Sequence, residues 1–128
     1  NVKLNEKNFK EGDEFKIDLI LKKPIYLNIF QILPYEKKDY QVYKIFPNAI
    51  DSKNYLTEKS VSLPKKAKYQ IFFPSKLNKR SVDEYLLLIG SEKDINWLEK
   101  YSKIEDLKNA YIREKSIIYK FTGYTIYK

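Results

Sequence analysis

The sequence contains neither cysteine nor histidine, and these two absences remove much of the familiar chemistry of protein sites. Without thiols, the 128-residue chain has no disulfide, no thiolate nucleophile and no cysteine-ligated zinc. Without imidazole, it lacks the usual base of a catalytic triad, a common metal ligand and a pH switch near neutrality. An enzyme built on this chain would have to use carboxylates, Lys, Tyr or Ser.

Glycine is also scarce, with three scattered residues, so neither of the glycine-rich phosphate-binding motifs is present. Neighbouring residues of a strand point to opposite faces, so adjacent acids within a strand are badly placed to act as a catalytic pair. We interpret the acidic pairs as charged turns, strand rims and surface ion pairs, and predict no catalytic residue, no cofactor and no metal site. The pairs are Asp13-Glu14, Asp83-Glu84 and Glu105-Asp106.

Arginine is nearly absent from a basic chain. The net charge is +8, but only Arg80 and Arg113 among the 25 basic residues are arginines. Base readout and bidentate phosphate binding favour the planar arginine fork, so the lysines indicate a solvated surface and we expect protein partners in preference to nucleic acid.

No apolar run reaches the ~18–20 residues of a membrane span. The chain begins at Asn1 and has no methionine, which predicts a piece of a longer protein with any leader or anchor outside it.

Short stretches of alternating or continuous apolar residues, rich in Tyr, Phe and Ile, predict β-strands. Six or seven strands separated by turns predict a single mainly β domain over residues 1–128, an antiparallel β-sandwich or open barrel. The predicted strands are 14–22, 25–33, 40–46, 61–63, 69–73, 83–89 and a C-terminal strand or hairpin within 116–128.

The pattern changes after Ser91, where apolar residues recur at spacings of three and four as far as residue 111. This spacing predicts a helical segment over 91–115, with Ser91 or Asp94 as the N-cap. The single tryptophan, Trp97, is expected to dock this helix on the sheet rather than to bind a ligand.

The stretch YKIFPNAIDSKNYL, residues 43–56, predicts a corner between strands. Pro47 ends the ladder because it lacks an N–H, and the Asn48 side chain is suited to bond its own backbone. We expect the apolar residues Ile50, Tyr55 and Leu56 to anchor the loop to the core. A partner-binding role is a secondary interpretation of this loop and of two basic turns. The candidate residues are Asn48, Asp51, Lys53, Asn54, Lys65, Lys66, Lys68, Lys76, Lys79 and Arg80.

A series of short motifs over residues 9–95 resembles the bacterial domain of unknown function 4384. The motifs are Gly12-Asp13, Tyr26-Leu27, Ile45-Phe46-Pro47-Asn48, Asn54-Tyr55-Leu56, Leu63-Pro64 and Gly90-Ser91. The resemblance implies a sandwich-like domain of multidomain proteins or lipoproteins of the bacterial periplasm or cell envelope. It implies no catalytic residues.

Three functions remain open from the sequence. The first is a non-enzymatic interaction or scaffold module that binds protein partners through loops or a sheet edge. The second is a polyanion- or carbohydrate-binding module that uses surface Lys and Tyr. The third is a carboxylate-based hydrolase, which needs two facing acids in a cleft. The oligomeric state is not predicted.

Overall fold

A computed structural model describes residues 2–35, 41–74, 77–94 and 118–128, and every regular element in these ranges is a β-strand. Alternating burial along most strands matches the alternation of apolar and polar residues in the sequence. The strands are β1 (Val2–Leu4), β2 (Asn8–Lys10), β3 (Glu14–Phe15), β4 (Ile17–Ile20), β5 (Ile25–Leu33), β6 (Gln41–Phe46), β7 (Tyr55–Leu56), β8 (Ser60–Leu63), β9 (Tyr69–Gln70), β10 (Ser81–Ser91) and β11 (Ile118–Tyr127).

The strands form three sheets. The largest has the order β2-β11-β10-β5-β6, and β7 pairs with one end of β5. The second has the order β1-β4-β8, and the third is the pair β3-β9. All pairs are antiparallel except β2 with β11, which run parallel. The long strands β5, β10 and β11 therefore form the framework on which the shorter strands are arranged.

The predicted fold class is wrong in its helical component, because the described residues are all β and contain no helix. The predicted N-cap Ser91 is instead the last residue of β10, where its hydroxyl donates to the Lys93 carbonyl at 2.7 Å. Gly90 does not end the strand either: a Cβ there would lie 2.9 Å from Ile25 Cδ1, so glycine permits close packing inside the sheet. The rest of the predicted helix, with Trp97, lies in 95–117, outside the described residues. Across the described ranges, no helix has the length and hydrophobicity to cross a bilayer.

One apolar core joins side chains from all three sheets. Ile17 and Leu63 come from the three-stranded sheet, Phe15 from the two-stranded sheet, and Ile29 and Leu86 from the largest. Each is at most 4% exposed. Burial of such side chains stabilises a fold by about 1.5–3 kcal/mol each, so this shared core holds the sheets together as one unit.

The core face of the largest sheet also contains a buried carboxylate. Glu84 on β10 is 3% exposed and lies opposite Tyr124 of β11. Its carboxylate accepts from the Tyr124 hydroxyl at 2.7 Å, from Gln31 Nε2 at 3.0 Å and from the Tyr35 hydroxyl. Burial and then the charge of Glu84 raise the pKa of Tyr124 above its ordinary value, because both oppose the phenolate. Glu84 thus ties β5, β10 and β11 together by polar contacts within an apolar face.

We expect Glu84→Ala to lower the free energy of unfolding by about 2–4 kcal/mol, because it leaves buried donors without an acceptor. Asp83→Ala is the matched control, since Asp83 is exposed and its carboxylate accepts from the Thr125 hydroxyl at 2.7 Å. That change should cost about 1 kcal/mol or less. Urea unfolding of both variants measures the difference, and equal losses would contradict a structural role for Glu84.

Candidate functional site

The corner after β6 is built by one asparagine side chain. Asn48 Oδ1 accepts from the backbone N–H groups of Ile50, at 2.9 Å, and Asp51, at 2.7 Å. Asn48 Nδ2 donates to the Ile45 carbonyl at 3.0 Å, and the Asn48 N–H donates to the Asp51 carbonyl at 2.9 Å. The sequence-based expectation that Asn48 bonds its own backbone is therefore met, and the result is that the loop turns back on itself.

The same turn points Asp51 at a second loop, the basic turn after β8. The Asp51 carboxylate accepts from three successive backbone N–H groups: Lys65 at 3.1 Å, Lys66 at 2.9 Å and Ala67 at 3.2 Å. Asp51 is only 7% exposed. Successive N–H groups converging on one carboxylate form an anion-binding nest, here filled by a residue of the same chain. We call this arrangement the Asp51 clamp.

The surroundings of the clamp shift the pKa values of two groups, Asp51 and Tyr69. Burial alone would raise the pKa of the Asp51 carboxyl. The net effect is a lowered pKa, because the carboxylate is stabilised by the backbone N–H groups of Ala67, Lys66 and Lys65 and by the charge of Lys66. The neighbouring Tyr69 hydroxyl donates to the Ile45 carbonyl at 3.2 Å. Burial and then the charge of Asp51 raise the pKa of Tyr69 to about 12. Asp51 is therefore held as a carboxylate beside a neutral phenol.

Polar groups, rather than the apolar ones expected, hold most of this loop. Ile50 is 62% exposed and Tyr55 is 50% exposed, so only Leu56 of the three expected anchors reaches the core. Asn54 supplies the other attachment, since its Nδ2 donates to the Leu27 carbonyl at 3.2 Å and its own carbonyl accepts from the Leu27 N–H at 2.9 Å. These contacts fix the end of the loop to β5.

The candidate binding residues are not gathered into one surface by these contacts. Asp51 faces inward, and it is joined to Lys65 and Lys66 through their backbones, not their ammonium groups. The Lys65 ammonium lies 3.5 Å from Glu58. The side chains of Lys53, Lys65, Lys66, Lys68, Lys79 and Arg80 are exposed. Lys76 lies outside the described residues.

The sequence reasoning missed a different surface, the outer edge of β11. One side of this ten-residue strand pairs with β10 along most of its length, from Ile118 to Tyr127. On the other side, β2 pairs only with Thr125–Tyr127. Within the described part of the chain, no strand pairs with the outer side of residues 118–124. We call residues 118–124 the β11 edge.

The direction in which the backbone groups of β11 point follows from one hydrogen bond. Thr125 N–H donates outward to the Lys7 carbonyl at 3.0 Å, on the β2 side. Because N–H and C=O of one residue point to the same side of a strand and alternate along it, those of Tyr119, Phe121 and Gly123 also point outward. The N–H and C=O groups of Phe121 and Gly123 therefore point in the direction that pairing with a further strand would use.

Apolar side chains line this edge. Ile118 is 61% exposed, and Tyr119 and Phe121, also largely exposed, meet edge to face with ring centroids 5.8 Å apart. The Tyr85 ring lies over Gly123, where an added Cβ would approach it to 3.0 Å. The edge thus combines outward backbone groups with exposed apolar and aromatic side chains. Whether a strand lies at the edge of a sheet depends on topology, which local sequence does not reveal. The one local signal is the run IYKF, residues 118–121, which has a single charge.

We expect Asp51→Asn to lower the free energy of unfolding by about 2–3 kcal/mol at pH 7, because an amide is a weaker acceptor and brings its own N–H donors toward the nest. The folded-state pKa of Asp51 is depressed, so its stabilisation is present above the ordinary value of 3.8 and is lost as the pH falls through the folded value. The difference between wild type and variant should therefore shrink below about pH 4. Urea unfolding at pH 7, 4 and 2.5 measures it.

Asp18→Asn provides the comparison, since Asp18 is exposed and, among the described residues, its carboxylate accepts from the Ser62 hydroxyl at 2.5 Å. Its cost should be about 1 kcal/mol or less at pH 7. A gap for Asp51→Asn that stays constant down to pH 2.5 would show that the carboxylate charge is not what stabilises the clamp.

Comparison with known proteins adds one finding. No curated protein and no solved structure matches the chain significantly. The model of the family described as Domain of unknown function (DUF4384) matches residues 8–94, about two thirds of the chain. The matched region includes the Asn48 corner, the Asp51 clamp and the whole of β10, and it ends before β11. The chain belongs to the DUF4384 family.

Proposed function

We propose that this domain is a non-enzymatic interaction module that binds a protein partner by accepting an extended segment of it as an added strand at the β11 edge. The observation that supports this most is the combination, over residues 118–124, of outward backbone groups with exposed Ile118, Tyr119 and Phe121. In strand addition, main-chain hydrogen bonds supply affinity and the alternating side chains supply specificity. Both components are present at this edge.

The other sheet edges are less suited to accept a strand. β6 lies at the opposite end of the largest sheet and contains a β-bulge. Ile29 pairs with Phe46 and Phe30 with Lys44, so Ile45 is an extra residue in β6. The edges of the second sheet, β1 and β8, have three and four residues. Bulges and short strands are the usual devices by which proteins blunt their edges. The β11 edge has neither.

The polyanion alternative has less support from the contacts. Lys65 is paired with Glu58, and the turn that carries Lys65 and Lys66 directs its backbone N–H groups inward to Asp51. An anion-binding nest that is already filled by a carboxylate of the same chain is not available to a phosphate. The backbone N–H groups of this turn are therefore already used within the chain, so the contacts support the polyanion alternative less than they support protein binding.

Selection of a random 12-residue peptide display library on the domain tests this proposal. We expect the selected peptides to alternate apolar and polar residues without proline at their centres. Phe121→Pro should weaken their binding by at least about tenfold, because it deletes an outward N–H and the aromatic ring. Phe121→Ala, which keeps the N–H, should weaken binding less. Isothermal titration with a selected peptide measures both.

Two controls separate binding from folding. Phe121→Pro removes no bond to β10 and should lower the free energy of unfolding by about 1 kcal/mol or less, whereas Lys120→Pro removes an inward N–H and should cost about 2–3 kcal/mol. Tyr43→Ala on β6 should leave peptide binding unchanged. Peptides that bind wild type and Phe121→Pro equally well, or a library that yields no peptide dependent on the β11 edge, would refute the proposal.

A further inference from the structure

We infer that a groove on the largest sheet binds a neutral sugar residue, which stacks on the Tyr85 ring and bonds to the polar groups around it. The groove lies on the face of β10 and β11 that points away from the apolar core, and its volume is about 420 Å³. Small-molecule sites typically have volumes of about 300–1,000 Å³. The site uses side chains on the face of the sheet, so the inference goes beyond strand addition and does not depend on it. The lining includes Lys7, Asn8, Asp83, Tyr85, Gly123 and Thr125.

The register of the sheet brings these residues together. Tyr85 lies directly opposite Gly123, and Asp83 lies directly opposite Thr125. Directly opposed residues share one face of a sheet, and so do residues two apart in one strand. Asn8 of β2 is in register with Thr125 on the other side of β11. All five positions are exposed or half-buried, whereas the residues that alternate with them in β10 and β11 are buried on the core face.

Gly123 explains how the Tyr85 ring is held. Glycine weakens the interior of a strand, and it is found there at bulges, at bends or where another group approaches the backbone closely. The register between β10 and β11 is continuous on both sides of Gly123, so no bulge accounts for it. The close group is the Tyr85 ring, since a Cβ at residue 123 would lie 3.0 Å from Tyr85 Cε1. The ring is therefore packed against the backbone of β11, while Tyr85 stays 40% exposed as a surface for a ligand.

Hydrogen-bonding groups of both kinds surround this ring. Thr125 Oγ1 donates to Asp83 Oδ1 at 2.7 Å, which orients the carboxylate, and Asp83 Oδ2 is an acceptor for a ligand hydroxyl. The Asn8 amide can donate and accept, and the Lys7 ammonium donates. Lys7 is held beside the groove because its carbonyl accepts from the Thr125 N–H at 3.0 Å. The groove therefore offers donors and acceptors around an aromatic surface.

This combination matches a neutral pyranose ring better than a charged ligand. Each sugar hydroxyl is both donor and acceptor, so one sugar can bond to a carboxylate, an amide and an ammonium group together. The C–H groups of the sugar pack on the electron-rich face of an aromatic ring. Asp83 would repel a phosphate, and Lys7 would repel a cationic ligand. A neutral, hydroxyl-rich ligand is the class that neither charge excludes.

Amide NMR titration of the isotope-labelled full chain with neutral oligosaccharides tests the inference. The probes are maltotetraose, cellotetraose, mannotetraose and the tetramer of N-acetylglucosamine. A single hexose unit at ordinary binding efficiency corresponds to a dissociation constant of about 1–10 mM, and we expect at least one probe to reach it. The amide signals of Asn8 and Gly123 should shift. If no probe binds at concentrations up to ~30 mM, or if the shifts lie away from the groove, the inference is wrong.

Substitutions then locate the site. Tyr85→Ala should weaken binding at least about tenfold, because it removes the stacking surface, whereas Tyr85→Phe should stay within about threefold of wild type. Gly123→Ala should also weaken binding about tenfold, since the added Cβ takes the space against which the ring packs. Asp83→Asn, which keeps an acceptor for Thr125, should weaken binding about threefold. Tyr55→Ala on β7 is the matched control, since Tyr55 is 50% exposed and lies on another part of the sheet, and it should leave binding unchanged.

Two charged probes, sodium phosphate and arginine hydrochloride, test the choice of ligand class. We expect neither to shift the Gly123 amide at the concentration at which the sugar does. Tighter binding of either one than of every oligosaccharide, or equal sugar binding by wild type and Tyr85→Ala, would overturn the inference. Urea unfolding checks that Tyr85→Ala and Gly123→Ala remain folded, and Asp83→Asn carries the test if either does not. These outcomes do not bear on strand addition, which the selected peptides test separately.

Discussion

The Asp51 clamp is the constraint on which the arrangement of the loops depends. One carboxylate, 7% exposed, accepts from three successive backbone N–H groups of another loop, so the corner after β6 and the turn after β8 are held to each other. Removing the carboxylate would leave three backbone N–H groups without this acceptor, which costs more than losing a bond that water can replace. Phe46-Pro47, at the corner, and Leu63-Pro64, before the turn, are both cis peptide bonds. Two of the motifs that carry the resemblance to the family, Ile45-Phe46-Pro47-Asn48 and Leu63-Pro64, flank this interaction.

The clamp shows where sequence reasoning succeeds and where it stops. Periodicity predicted β5 at 25–33 with its observed ends, and the chemistry of Pro47 and Asn48 predicted the corner, because these signals are local. The partner of Asp51 lies 14–16 residues away, and nothing in the sequence indicates which backbone would reach it. The same limit applies to Gly90, which resembles a turn residue but lies inside β10, because its role depends on Ile25 of another strand.

Polar anchoring has a consequence for the rest of the surface. In the 46–56 loop, contacts through Asn48, Asp51 and Asn54 replace apolar anchors and leave Ile50 and Tyr55 exposed. On the largest sheet, Glu84 plays the corresponding part, joining β5, β10 and β11 through Gln31 and Tyr124. Polar contacts of this kind hold the backbone in place while the apolar side chains of Ile50 and Tyr55 stay exposed.

Edge protection gives the most direct physical argument about function. Natural β-proteins avoid long, regular and apolar edges, because such edges recruit strands from other chains. This domain follows that rule at β1, β8 and the bulged β6, and departs from it at residues 118–124 of β11, among the described strands. The three-residue β2 could cover more of β11 only if the segment before it continued along the strand. Instead Asn5 turns back to Lys16, bonding it through both backbone and side chain, at 3.1 Å and 2.8 Å. The contacts of Asn5 therefore direct the chain that precedes β2 away from residues 118–124, and this arrangement is one reason for the proposal that a partner strand binds there.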